Sequence, residues 1–253
     1  MSFLNAVLAF MELEARRLKY NRTELYSRAV QPILWLVVFG PIMARVRALP
    51  TGGVPYVAFI TPGVIMQSVT FVSIFYGLTI VWERESGILK KLLTTPVSRF
   101  SIVLGRSSAS VIRALFQFLI IVPIALAMGV KIIPNPVNLI LAVIVIVVAA
   151  VGFSAFSIWI ATFMRTRERF MGIGQALTMP LFFASSAIYP VSIMPIEFKL
   201  IALGNPLTYA VDALRRTLIL NDLSKLNVDF TALLIFVALF VTLASVQFKR
   251  IIE

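Results

Sequence analysis

The sequence contains no cysteine and no histidine, and only 11 of its 253 residues are acidic. The first absence removes disulfides and thiolate metal sites. The second removes imidazole ligands and any catalytic relay that passes a proton through histidine. No metal site is expected. Charge of either sign is scarce, at 13% of residues against about 25% in an ordinary soluble domain. No G-x-x-x-x-G-K-[ST] occurs, so the chain binds no nucleotide through a P-loop. Gly172 and Gly174 form a G-x-G with no third glycine at dinucleotide spacing, and G-x-S-x-G is absent. No catalytic residue can be nominated, and the chain is expected not to be an enzyme.

What fills the sequence is apolar: 60% of residues are hydrophobic. They are gathered into charge-free runs, and a helix crossing a bilayer needs about 20 such residues. Six runs qualify as spans: Ala29–Ala44, one within Ala48–Trp82, Ser107–Val130, Ile132–Met164, Phe170–Ile196 and Phe230–Phe248. The first is short, and Arg28 and Arg45 at its ends are expected to snorkel. A further charge-free piece, Leu200–Val211, is too short to cross and predicts a re-entrant or interfacial helix. The fold class is therefore an all-α membrane protein, a single unit over residues 1–253. It has an interfacial segment at 1–27, a cytoplasmic loop at 83–99 and an external region at 190–229.

Net charge is +12, but the basic residues occupy the gaps between apolar runs. That distribution argues against nucleic acid and for the positive-inside rule. One set of loops and termini carries 15 Lys and Arg residues, and the other carries 7. The bias puts both termini in the cytoplasm, a parity that six spans satisfy. At the N-terminus Phe3, Ala6, Val7, Phe10, Leu13 and Leu18 share one helical face, which predicts an interfacial helix over 3–19 resting on membrane lipid. Glu12 and Glu14 break the apolar stretch that a cleavable signal would need.

All 11 acidic residues lie outside the centres of the runs. An ion-coupled carrier usually keeps a carboxylate within a span, so energy is expected from elsewhere. Arg113 is the one charge well inside a run. It either snorkels to the cytoplasmic surface or pairs with an acid or a lipid phosphate.

The loop after the second span reads Glu83-Arg84-Glu85-Ser86-Gly87-Ile88-Leu89-Lys90-Lys91-Leu92-Leu93-Thr94-Thr95-Pro96-Val97-Ser98-Arg99. It predicts a short helix over about 87–95, capped by Ser86 and stopped by Pro96. Ile88, Leu89, Leu92 and Leu93 share one face, with Lys90 and Lys91 on the other. Such a helix either lies on lipid or plugs a groove in a soluble partner.

This loop resembles the cytoplasmic signature of type-2 ABC transporter permeases of the bacterial and archaeal drug-export type. Tyr189-Pro190, Met194-Pro195 and Asn205-Pro206-Leu207-Thr208-Tyr209-Ala210-Val211-Asp212-Ala213-Leu214-Arg215 resemble that family's late extracellular block, and Thr61-Pro62-Gly63 is a weaker match. The Lys90-Lys91 pair departs from the family, where an acidic or neutral residue is common. The resemblance implies that 87–95 is a coupling helix docking on a separate ABC ATPase. Glu83, Arg84, Glu85, Gly87, Leu89, Lys90, Lys91 and Leu92 would then lie at or near the contact. It implies a homodimer of permeases with the substrate path between them, ATP and Mg²⁺ held by the partner, and no cofactor in this chain. It implies an external re-entrant element containing Asn205, Pro206 and Arg215. Gln67, Phe71 and Phe75 on the second span, and Met179, Phe182 and Phe183 on the fifth, become path candidates. The expected function is the permease subunit of an exporter in the cell's cytoplasmic (inner) membrane. The alternative is an ATP-independent channel or ion-coupled secondary carrier.

Overall fold

The computed structural model describes residues 3–20, 22–46, 49–89, 98–164 and 166–248. Among them every regular element is helical. Helix α1 (Phe3–Tyr20) precedes α2 (Arg22–Leu34), which runs through a wide turn at Trp35–Phe39 into α3 (Gly40–Val46). The widening has a local cause. Pro41 has no N–H to offer Val37 and its ring crowds that carbonyl, so the turn loosens and the Gly40 N–H reaches Trp35 O instead. Helices α4 (Tyr56–Tyr76) and α5 (Leu78–Glu85) make one long crossing. Then come α6 (Arg99–Ala127), α7 (Pro136–Ala161) and α8 (Arg167–Phe183). Short helices α9 (Ile196–Gly204) and α10 (Pro206–Arg215) lead to the last, α11 (Leu226–Gln247).

The chain's own cues set these boundaries. Ser98, Asn135, Thr166 and Asn205 each accept a backbone N–H at the start of α6, α7, α8 and α10, and Pro136 and Pro206 occupy first-turn positions. Asn221, in the left-handed region at φ 52°, ends the wide turn after α10.

Five helical stretches are long and apolar enough to cross a membrane: Tyr26–Val46, Tyr56–Glu85, Arg99–Ala127, Pro136–Ala161 and Leu226–Gln247. The expected Phe170–Ile196 run behaves differently. It gives the 17-residue α8, and the helix stops at Ala184, just beyond Pro180. The Ser185 hydroxyl then turns back to Phe182 O and the chain continues as turns. The Leu200–Val211 piece is divided between α9 and α10 by the break at Asn205-Pro206.

The long crossing α4–α5 forms the centre, with 72% of its most apolar window buried, whereas the first and last spans have 22% buried. Helices α6 and α7 pack on α4, and α11 packs on α7. Helix α1 lies along α6, where Phe10 and Val7 press against Gly105. The expected interfacial helix is thus docked on protein through Phe10 and Leu18, while Leu8 and Leu13 stay exposed.

Candidate functional site

Three features occupy the bundle: a charge network at one end of the α4–α5 crossing, a cleft near its middle, and a polar lock at the other end.

The network begins with α5. Glu83 is buried and takes both ends of the Arg106 guanidinium, at 2.8 and 2.6 Å. Arg17 of α1 stands 3.5 Å from the same carboxylate, and Phe10 lies under Arg106, 4.8 Å from its ring centre. Arg84 reaches Met164 O at 3.4 Å, and Glu85 pairs with Arg167 at 2.5 Å. Each member of the Glu83-Arg84-Glu85 triplet therefore fastens the end of α5 to a different neighbour: α6, the α7–α8 turn and the start of α8. A second pair lies deeper. Glu14, also buried, binds Arg113 at 2.6 Å and accepts the Tyr76 hydroxyl at 3.3 Å. Of the two sequence readings of Arg113, pairing with an acid is the one found. Breaking such a pair from one side typically costs about 3–5 kcal/mol, because a charge is left buried without its partner.

Beyond the triplet, Ser86 ends α5 and gives its hydroxyl to Glu83 O. Gly87 has φ +74°, a left-handed turn that a side chain would strain. Leu89 is buried in the apolar cluster that also holds Ile80, Val81 and Ile102. Lys90, Lys91 and Leu92, with most of the expected 87–95 helix, lie outside the described residues.

The cleft brings the two sets of path candidates together. Gln67 and Phe71 of α4 face Met179 and Phe182 of α8 across it, with Gln31, Thr70, Thr178 and Leu207 completing the lining of a narrow space of about 10 Å³, room for about one water. Phe75 stands outside it: its ring lies 4.5 Å from that of Phe71, and the Arg28 guanidinium covers both, at 5.5 and 5.3 Å. Phe183 packs on Phe182 and Trp35 and is 43% exposed.

The lock explains the late sequence block. Asn205 does three things at once: its side-chain oxygen caps Leu207 N, and its amide donates to Leu181 O and Ala184 O, the carbonyls left over where α8 breaks. Thr208 and Tyr209 turn their hydroxyls back to Ala202 O and Leu203 O. Arg215 donates to Asp212, to Ser186 O and to Phe59 O, with its guanidinium stacked 3.9 Å over the Phe59 ring. Burial pulls its pKa down to about 10, against the pull of Asp212, and it remains charged at neutral pH. Gly63 of the Thr61-Pro62-Gly63 match admits the Ala187 backbone so closely that an added Cβ would sit 2.5 Å from Ala187 O. The non-helical segment after α8 is thus held against α4 by backbone contact that only glycine allows.

Sequence reasoning missed the partners: Glu14, Arg17, Tyr76, Arg106 and Ser186. A signal existed for Glu14, which stands four residues from both Phe10 and Leu18 and so on the apolar face of α1.

The profile of the ABC-2 type transporter family matches residues 5–219, from α1 through the wide turn after α10. The chain belongs to that family. Similar proteins include a transport permease named ycf38 in Cyanophora paradoxa, 27% identical over 251 residues (94% of this chain, 85% of that protein). Nodulation protein J of Rhizobium leguminosarum bv. trifolii is 23% identical over 228 residues, covering 89% of this chain and 86% of its own. The inner membrane transport permease YadH of Escherichia coli strain K12 is 25% identical over 215 residues, covering 82% and 80%. Membership in ABC-2 makes this a multi-pass membrane component of an ABC transporter, a part that does not itself catalyse. The family as a whole implies an ABC ATPase partner.

Proposed function

We propose that this ABC-2 chain is the permease of an ATP-driven exporter. Two copies enclose a substrate path, and each docks a separate ABC ATPase through the 83–99 loop, with ATP and Mg²⁺ held on that partner. The chain crosses the cell's cytoplasmic (inner) membrane six times with both termini in the cytoplasm. Helix α8 supplies the sixth crossing: its 17 residues rise about 25 Å, near the ~30 Å of a hydrocarbon core. Helices α9 and α10 form the external re-entrant element, and lipid covers the outer spans. The Escherichia coli relative, named an inner membrane transport permease, supports the location.

One observation carries the reading. Glu83, Arg84 and Glu85 tie the end of α5 to α6, the α7–α8 turn and α8, immediately before Gly87. A push on the segment after Gly87 would then be delivered to several helices at once, through the buried Glu83–Arg106 pair, the Arg84 bond to Met164 O and the more exposed Glu85–Arg167 pair. An ion-coupled carrier has less support. Glu14, Glu83 and Asp229, the buried carboxylates among the described residues, each lie within 3.5 Å of an arginine nitrogen, which leaves little for a coupling ion.

Co-expression with an ABC ATPase of the same genome is expected to yield a stable complex that moves substrate in liposomes only with ATP. Transport by the purified chain without ATPase, driven by an ion gradient, would overturn the proposal.

A further inference from the structure

Four basic residues fall within seven positions where α1 gives way to α2: Arg16, Arg17, Lys19 and Arg22, with no acidic residue from position 15 to 23. The first span begins a few residues later, at Tyr26. Arg16 folds onto Glu12 at 2.7 Å. Arg17 has a poorer partner. Glu83 already receives both ends of the Arg106 guanidinium, at 2.8 and 2.6 Å, and Arg17 stands 3.5 Å off, beyond good hydrogen-bond length. Glu14, the other buried carboxylate at this joint, is held by Arg113 at 2.6 Å. Buried Arg106 Nε finds no acceptor among the described residues. One carboxylate thus serves two guanidiniums, and the excess positive charge where α1, α5 and α6 meet sits on Arg17.

Arg17 is also the member of the joint closest to the outside. Its side chain is 35% exposed, against 4% for Arg106 and 1% for Glu83. On α1 it shares a stripe with Leu13, four residues before, and Tyr20, three after. These two are 43% and 88% exposed. An apolar side chain, a guanidinium and a tyrosine in one exposed line supply contacts for an acyl chain, a phosphate and the headgroup layer. Charge narrows the headgroup. A zwitterionic lipid would bring an ammonium into a positive patch, whereas an anionic one would not. A soluble phosphate would meet the guanidinium and leave Leu13 uncovered.

We propose that Arg17, with Leu13 and Tyr20 beside it, is a docking site for the phosphate of an anionic phospholipid in the leaflet that borders α1. Arg17 then bridges lipid and Glu83, so lipid charge bears on the joint that ends α5. This site lies beyond the permease reading, and its test uses the chain alone, without nucleotide or ATPase.

The chain has no cysteine, so one introduced thiol can carry an environment-sensitive fluorophore. Ala9→Cys puts it one turn before Leu13, at an exposed position. The labelled full chain in detergent micelles would be titrated with dioleoylphosphatidylglycerol, dioleoylphosphatidylcholine and inorganic phosphate. Phosphatidylglycerol should half-saturate at a concentration about tenfold lower than phosphatidylcholine. Inorganic phosphate should give no response. Arg17→Gln should remove the preference by weakening phosphatidylglycerol about tenfold, while Arg17→Lys keeps part of it. Arg16→Gln deletes the same charge at a neighbouring, more exposed position and should cost under about threefold. In Arg17→Gln, Glu83 keeps both bonds to Arg106, so Tm without lipid should hold. Added phosphatidylglycerol should raise Tm of the unaltered chain and not of that variant. Equal half-saturation by the two lipids would overturn the proposal, as would a response to inorganic phosphate that matches the lipid's. Equal losses in Arg16→Gln and Arg17→Gln would overturn it by assigning the preference to a diffuse field. An Arg17→Gln variant that keeps the lipid preference but no longer holds an ABC ATPase would also overturn it, by giving this face to a protein partner.

Discussion

Arg106 holds Glu83 with two nitrogens, at 2.8 and 2.6 Å, and both side chains are almost entirely withdrawn from solvent. The pair joins α6 to the last turn of α5, one turn before the left-handed Gly87. Its worth is conditional. Two charges satisfied by each other are cheap to keep and expensive to separate.

Glu83→Ala should therefore destabilise the chain by about 3–5 kcal/mol and lower Tm in detergent by about 10 °C. Replacing both partners, Glu83→Met with Arg106→Leu, should recover most of that loss. Thermal melting of the single and double variants measures it.

Glu14→Ala should loosen α1 from α6, because Arg113 and the Tyr76 hydroxyl both lose their acceptor. Hydrogen exchange should quicken across Phe3–Tyr20 and remain slow in α7. Glu12→Ala, which breaks only the exposed pair with Arg16, should leave that exchange within about twofold, since such pairs are worth under about 1 kcal/mol.

Asn205 separates a cap from a pair of donors. Asn205→Asp keeps the cap on Leu207 N but turns a buried carboxylate oxygen onto Leu181 O and Ala184 O, where the amide donated. Asn205→Ala loses all three bonds and adds no charge. The alanine variant should be down by about 2–4 kcal/mol, and the aspartate variant by at least as much at neutral pH, because its charge is buried against two acceptors. Denaturant melts of the two variants, compared side by side, check the ranking.

Gly63→Ala should cost about 1–3 kcal/mol, because the new methyl meets the Ala187 backbone, which has no rotamer to yield. Gly172→Ala, where nothing lies within 4 Å, is the matched control and should be neutral or slightly stabilising within α8. The same melting experiment compares them.

The sequence made the architecture legible wherever a charge-free run was a plain helix. Arg28 and Arg45 bracket the first span, and Glu83-Arg84-Glu85 closes the second. Within Phe170–Ile196 only the part up to Phe183 is the helix, because apolar composition does not distinguish a helix from buried turns whose carbonyls are satisfied by a distant Asn205. The charged triplet reads as docking chemistry, and the structure adds that Glu83 points inward to Arg106. That partner was invisible because pairing across helices leaves no periodic trace along the chain. Family resemblance points to Gln67, Phe71, Met179 and Phe182, and these four line one narrow cleft.

The account's central claim is that outside energy enters through the 83–99 loop. Its most direct test is ATP turnover and substrate movement, measured together in the reconstituted permease–ATPase complex, for the unaltered chain and for Gly87→Asp and Leu92→Glu. The account predicts that both variants assemble in the membrane and that ATP hydrolysis loses its link to transport. Coupling that is unchanged in both variants would contradict it.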